Sequence, residues 1–369
     1  MKKATRKCTG EVNTFDFDQF EIGNLLGQGG FSSVYSLSEK GKFGTHSSGT
    51  TTKSTKEDLT QHLDATNDSW GSSSATDSLE NLESSPSSIV SMDGKLAMKR
   101  LRAKTLLQPA LAKKAAKDLK TEVSILSSLP RQHQHIIHMF GVSTEFWTST
   151  MESFIVLEQL EETLDCTIIR WKELSSQCGS SRCCFSKKQH LTRGSQLQRI
   201  QKVAIGIASA MKFLHKNRIV YRDLKPSNIG FAEDGKVRLF DFACARVLEH
   251  PGAKLLHRCG TLRYMAPEVA AKKEYDCSAD VYSFGMLLWE LCTLNKPFLK
   301  TESKAELNVW VQQAKSHLSV RKIASPRIKA ILNQCWRTTP AQRPKFSMIL
   351  TSLRKEVRRY NYHQSPMKI

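Results

Sequence analysis

The sequence predicts an α+β protein in two lobes, the first rich in strands and the second helical. Three observations predict it. Phe20 to Tyr35 alternates apolar residues around a glycine cluster, the pattern of strand, turn and strand. A further strand signal, Lys95 to Leu101, follows the Asp93-Gly94 turn and leads into a helical pattern. From Val269 to the end, helical segments dominate. A chain of 369 residues, 40% of them hydrophobic, can bury a full core under such a plan.

The elements follow in order. Pro109 to Leu129 reads as one long helix, with proline suited to its first turn. Leu119, Leu126 and Leu129 share a face with Glu122. A carboxylate on an apolar face needs a cation, because an unpaired buried charge is costly. Leu197 to Leu214 has helical spacing through Ile200, Ala204, Ile207, Met211 and Leu214. Val281 to Leu294 is the longest apolar run, but it holds Ser283 and Glu290. It is too short and too polar to span a bilayer, so it is expected to be a buried core helix, and no membrane span is expected.

Two stretches interrupt this plan. Of the 47 residues from Thr45 to Ser91, 21 are Ser or Thr, and the stretch carries a net charge of −5. It cannot bury enough apolar surface to offset its ordering entropy and is read as a disordered insertion. Ser175 to Arg193 is a second insertion, basic and rich in Cys and Ser. Its Cys178, Cys183, Cys184 and His190 lack the ligand spacing of a zinc site and are read as part of a flexible loop. The resulting division is an N-terminal extension over 1–19, one domain over 20–357 with insertions at 45–91 and 175–193, and a basic tail over 358–369.

The net charge is +20 with a pI near 9.6, which attracts acidic partners without specificity. No motif interleaving aromatic and basic residues supports specific nucleic-acid recognition. The run Lys95 to Lys120, net +8, is read as a solvated helix face. The ten cysteines are scattered, a pattern of reduced thiols in a reducing compartment. The basic start, Met1 to Lys7, is followed by no apolar region of the kind a secretory signal needs. A cytoplasmic monomer is expected, with the nucleus left open.

The chemistry is concentrated in Tyr221-Arg222-Asp223-Leu224-Lys225-Pro226-Ser227-Asn228. Its Asp can take a proton from an attacking hydroxyl, and its Asn can hold a metal ion. Asp241-Phe242-Ala243, thirteen residues after Asn228, supplies a second metal-binding carboxylate. Upstream, Gly27-Gln28-Gly29-Gly30-Phe31-Ser32-Ser33-Val34 lets backbone amides approach phosphate oxygens without a side-chain clash. Leu96-Ala97-Met98-Lys99 places a lysine on a strand.

This set, in this order, resembles the protein kinases: a glycine-rich loop, a strand lysine, H-R-D-L-x-x-x-N, D-F-G and A-P-E. The last is complete in Tyr264-Met265-Ala266-Pro267-Glu268. Lys225, Gly260-Thr261, Asp280 to Gly285 and Cys335-Trp336 with Arg343-Pro344 resemble the Ser/Thr kinases of the tyrosine-kinase-like branch. The resemblance covers about Phe20 to Val357 apart from the insertions. It implies a small β-rich lobe with one long helix, a larger helical lobe, and ATP with Mg²⁺ in the cleft between them. It implies transfer of the γ-phosphoryl group to Ser or Thr of protein substrates, and the basic charge of the chain leaves acidic proteins open among them.

The resemblance also implies roles. Asp223 orients the hydroxyl and receives its proton, Lys225 steadies the γ-phosphate, and Asn228 and Asp241 hold Mg²⁺. Lys99 pairs with the α- and β-phosphates and is oriented by Glu122. Gly27, Gln28, Gly29 and Gly30 cover the phosphates. Leu26, Val34, Ala97 and Leu157 surround the adenine, and Glu158 to Leu160 is the hinge. Glu268 pairs with Arg343.

Several positions depart from the family pattern. Tyr221 replaces His and is expected to fill the same stack against Phe242. Ser32 replaces the third glycine. Ala243 replaces Gly and disfavours a backbone flip at the Asp241 hinge. Gly230 stands where families carry a large apolar residue under the adenine, leaving a roomier pocket or compensation by Phe231. Phe242 to Gly260 contains no Ser, Thr or Tyr. Arg222, which in kinases receives an activation-loop phosphate, therefore has none to receive there, and Glu249 is the expected anion. A catalytically impaired scaffold is the alternative these departures raise.

Overall fold

The computed structural model describes residues 12–40, 94–130, 132–177, 193–299, 303–312 and 318–364. The insertion over 45–91 and the cysteine cluster of 178–192 lie outside the described residues. The first lobe is a six-stranded sheet in the order β1-β5-β6-β4-β3-β2. Its strands are β1 (Thr14–Phe15), β2 (Phe20–Gln28), β3 (Ser32–Glu39), β4 (Leu96–Leu101), β5 (Met139–Ser143) and β6 (Phe154–Glu158). Only β1, which lies in the segment read as an extension, pairs in parallel.

Strand alternation gives the sheet two different faces. Phe20, Leu37, Leu96, Met98, Phe154 and Val156 form a small core on one. Ala97, Ile155 and Leu157 look the other way, where Ile155 and Leu157 join the main core. Lys99 stands opposite both Val34 and Ile155, so it shares that inner face. A short helix, α1 (Ala103–Leu106), precedes α2 (Pro109–Ser128), which begins at proline as expected. Helix α2 buries Ala115, Leu119, Glu122 and Val123 together, so Glu122 sits on an apolar stripe at 1% exposure.

The second lobe is helical, with β7 (Glu162–Thr163), β9 (Ile229–Phe231) and β10 (Val237–Leu239) forming a small three-stranded sheet. Helix α3 (Leu164–Gln177) follows β7. The helix expected over 197–214 is present in three parts: helical residues 193–199, a π-helical turn at Ile200–Ala204, and α4 (Ile205–Lys216). It delivers the chain to β8 (Ile219–Val220), which pairs with β11 (Arg246–Val247). After α5 (Pro267–Ala270) comes α6 (Ser278–Thr293), buried at every position from Ala279 to Cys292. A helix apolar all round is stable only inside a core. No helix among the described residues is long and apolar enough to cross a membrane.

Helices α7 (Lys304–Gln312), α8 (Pro326–Cys335) and α9 (Phe346–Gln364) complete the lobe. Arg343 joins α5 to the loop before α9. Its guanidinium donates to both Glu268 carboxylate oxygens, at 2.6 and 2.9 Å, and lies over the Tyr282 ring. The pairing expected from sequence is thus a buried, two-point contact, the strongest geometry available to Arg and a carboxylate.

The thiol expectation needs one correction. Cys166, Cys277, Cys292 and Cys335 are free, but Cys244 and Cys259 form a disulfide with their Cα atoms 6.3 Å apart. Fifteen residues separate them in sequence, and only the folding back of this segment brings them together.

Candidate active site

Strand β4 presents Lys99 to the cleft, and α2 presents Glu122 to Lys99. The ammonium lies 2.5 Å from Glu122 Oε2 and 3.3 Å from Asp241 Oδ1. Burial works against the charged amine, but the carboxylates of Asp241 and Glu122 outweigh it and hold Lys99 above its ordinary value. Lys99 in turn holds the Asp241 carboxyl below the usual carboxylate range. Glu122 also accepts the backbone N–H of Phe242 at 3.4 Å, so one buried carboxylate links strand, helix and the Asp241 hinge.

Three donors hold the Asp223 carboxylate. Oδ2 accepts from Lys225 Nζ at 2.7 Å and from Asn228 Nδ2 at 3.1 Å, and Oδ1 accepts the Thr261 N–H at 2.8 Å. Asn228 Nδ2 donates to the Asp223 carbonyl as well, which turns the amide oxygen away as a remaining acceptor. Lys225 Nζ bridges to Thr261 Oγ1 at 2.9 Å. The Asp223 loop and Thr261 thus form one polar unit.

Two backbone positions here are held in the left-handed region that non-glycine residues avoid: Arg222 at φ 71° and Asp241 at φ 61°. Such conformations persist only where the surroundings over-determine them. At Arg222 the restraint is Asp280, wholly buried at the start of α6. Its carboxylate accepts the N–H groups of Tyr221 (2.9 Å) and Arg222 (2.8 Å) and contacts His215 Nε2 at 2.9 Å. In the sequence Asp280 stands out only as part of the Asp280 to Gly285 family pattern. The available signal was an acid inside an apolar helix, which needs donors. Tyr221 packs edge-on against Phe242, with ring centroids 5.2 Å apart, and donates its hydroxyl to the Phe240 carbonyl.

The residues expected beside the nucleotide are placed as follows. Ala97 and Leu157 are paired neighbours, both buried, and Val34 lies opposite Lys99. Leu26 is exposed on β2. In the glycine loop, a Cβ at Gly27 or Gly30 would meet nothing within 4 Å, so these positions leave open space for a close approach. The loop is tied down by the Gly29 N–H to the Ser32 carbonyl (2.8 Å) and by Arg102, which donates to the Gly29 carbonyl (3.3 Å). Gln28 is exposed beside them. In the hinge, the Glu158 side chain is taken by Arg238 (2.9 Å) and by the His138 N–H (2.8 Å). Leu160 is bracketed by backbone bonds from Gln159 to Lys95 and from Glu161 to Phe231.

Two expectations are corrected. Gly230 neither enlarges the pocket nor relies on Phe231. A Cβ there would lie 2.6 Å from Leu160 Cδ1, so the hinge leucine occupies the space. Phe231 is buried beneath the Lys202 ammonium instead. We predict that Gly230→Leu overpacks this contact and costs about 1–3 kcal/mol. Thermal unfolding measures this, and Leu160→Ala in the same chain is expected to restore most of the loss. Glu249 is likewise not the partner of Arg222. That guanidinium donates to the Cys244 carbonyl (2.5 Å) and to Tyr275 Oη (3.0 Å), while Glu249 offers its carbonyl to Arg218.

A family model described as protein kinase domain matches residues 89–353. The chain belongs to the protein kinase family. The β-rich lobe, the helical lobe and the Lys99–Glu122–Asp241 cluster between them are its bilobal fold. Among curated relatives, this kinase is 36% identical over 163 residues to serine/threonine-protein kinase STY17 of Arabidopsis thaliana. That match covers 44% of this chain and 28% of the relative. It is 38% identical to STY46 of the same plant over 160 residues, 43% of this chain and 28% of that protein. It is 36% identical over 151 residues to mitogen-activated protein kinase kinase kinase 12 of Rattus norvegicus, 41% of this chain and 17% of that protein. The kinase thus spans less than a third of the length of these relatives.

Proposed function

We propose that this protein transfers the γ-phosphoryl group of ATP to Ser or Thr of protein substrates. The observation that carries this reading is the Asp223 carboxylate, fixed by Lys225, Asn228 and the Thr261 N–H, with the Lys225 charge felt by Asp241 of the Lys99–Glu122–Asp241 cluster. In such a transfer the protein mainly positions groups and neutralises charge. Asp223 orients the acceptor hydroxyl and receives its proton. Lys225 stands beside Asp223 and Thr261 to steady the phosphate being moved, and Lys99 pairs with the inner phosphates.

The donors left at Asn228 and Asp241, an amide oxygen and a carboxylate held ionised by Lys99, suit Mg²⁺, which takes hard oxygen ligands from few protein groups. When bound there, Mg²⁺ would offset the negative charge of the phosphates. Thr261 beside Asp223 and the named Ser/Thr kinases among the relatives support Ser/Thr as acceptor. The impaired-scaffold reading loses ground on two of its three departures. Leu160 fills the space at Gly230, and Ala243 lies outside the left-handed region that only glycine favours. A cytoplasmic location and a monomeric state belong to the same reading; among the described residues Cys166, Cys277, Cys292 and Cys335 are free thiols, which suits the location.

Phosphate incorporation into a generic basic protein and an acidic one, with Mg²⁺ and ATP, tests the proposal. Asp223→Ala and Lys99→Met are each expected to lower transfer by at least about 100-fold. Equal incorporation by wild type and both variants would overturn it.

A further inference from the structure

The segment from Phe242 to Gly260 offers no hydroxyl to phosphorylate, yet it carries the disulfide. Its two ends touch the Asp223 loop. The Cys244 carbonyl accepts from Arg222 Nε. Cys259 precedes Gly260, whose φ of +99° lets the backbone pass the Arg222 carbonyl, where a Cβ would lie only 2.1 Å away. The next residue, Thr261, donates its N–H to Asp223. A bond between Cys244 and Cys259 therefore fastens both edges of the chain that frames Arg222 and Asp223. Between them, Tyr275 completes the frame by donating to the His257 carbonyl and accepting from Arg222.

The chemistry of the two sulfurs suits reaction. Both residues are partly exposed, and cationic side chains flank them: Arg222 and Arg246 near Cys244, Arg258 next to Cys259. Cys277, Cys292 and Cys335 contrast with them, since burial pushes each of those thiols up to about 12.

We infer that Cys244 and Cys259 are a redox modification site, through which a hydroperoxide seats the segment that receives the protein acceptor. One thiolate takes an oxygen atom from the hydroperoxide. The O–O bond breaks, a sulfenic acid forms, and the alkoxide leaves, taking a proton to become an alcohol. The second thiolate attacks the sulfenic sulfur, the S–O bond breaks, water leaves and the S–S bond forms. Two thiols lose two electrons and the hydroperoxide gains them. A dithiol reverses the change by exchange. The effect on acceptor binding rests on the proposed kinase activity; the bond itself does not.

The test uses the full chain after treatment with hydrogen peroxide or with dithiothreitol. Alkylation and a non-reducing digest, read by mass spectrometry, are expected to show the Cys244–Cys259 cross-link only after peroxide. Tryptic cleavage at Lys254 and Arg258 is expected to slow on oxidation. KM for the protein acceptor is expected to fall by about tenfold on oxidation, as for a pre-organised site, with KM for ATP unchanged. Cys244→Ser and Cys259→Ser should each hold the chain at its reduced-form values and abolish the peroxide response. Failure of the cross-link to form, or a cross-link that alters neither cleavage nor acceptor KM, overturns the inference. If no Asp223-dependent transfer is found at all, the kinase reading has failed, and the cross-link and cleavage arms decide this inference alone.

Discussion

Asp280→Ala is expected to cost more than any other single change away from the reacting groups. Alanine removes the acceptor of two backbone N–H groups, the buried one of Tyr221 and the part-buried one of Arg222. Each unmet donor costs about 1–3 kcal/mol, so the loss is roughly 2–6 kcal/mol. The left-handed backbone at Arg222 then has no restraint from α6 and relaxes towards ordinary values. Asp223 is the next residue, and displacement of a catalytic group by about 1 Å costs on the order of 100-fold in rate. Thermal unfolding and phosphate transfer should therefore fall together in Asp280→Ala. Asp280→Asn keeps one acceptor oxygen and is expected to recover part of both. Transfer within twofold of wild type in Asp280→Ala would show that the loop holds its shape without this clamp.

Glu122→Ala is expected to have the second largest effect. Breaking a buried ion pair from one side costs about 3–5 kcal/mol, because the other charge stays buried. Here Lys99 retains Asp241, which offsets part of that cost. The price is functional: Lys99 is drawn towards the carboxylate assigned to the metal and away from the inner phosphates. KM for ATP should rise and transfer should fall, with a smaller drop in unfolding temperature than Asp280→Ala gives. The acid limb of stability is a second readout. Asp241, depressed mainly by Lys99, contributes stability that is present above its unfolded value and lost as pH falls through its folded one. Glu122→Ala leaves that limb in place, whereas Lys99→Met should remove it. A Glu122→Ala chain with wild-type KM for ATP would count against the positioning role of the pair.

The sequence was most legible where a local stretch of backbone decides the geometry. Asp223, Lys225 and Asn228 belong to one loop, and their mutual contacts follow from their spacing. The Lys99–Glu122 pair was legible for another reason, since a carboxylate on a face with Leu119, Leu126 and Leu129 must find a cation. What escaped the reading depends on distant chain. Asp280 reaches back across 58 residues to Arg222, and Arg102 crosses 73 residues to Gly29. Glu249 is the acid that the sequence offers between 242 and 260, but Tyr275, fixed by the Leu255 pairing, reaches Arg222 instead. The disulfide was hidden because scattered cysteines carry no record of which segments fold back on themselves.

The Leu160–Gly230 contact also constrains how this protein can change. One space is shared between a hinge residue and a residue of β9, so the two positions are not free to vary independently. A larger residue at 230 is admissible only after 160 has shrunk, and a smaller residue at 160 alone opens a void against β9. Each path between this arrangement and one with the bulky residue on β9 runs through an overfilled or a hollow intermediate. A compound shaped for a floor built from β9 would meet the hinge side chain here, so selective ligands for this cleft are better sought by varying the group that faces Leu160.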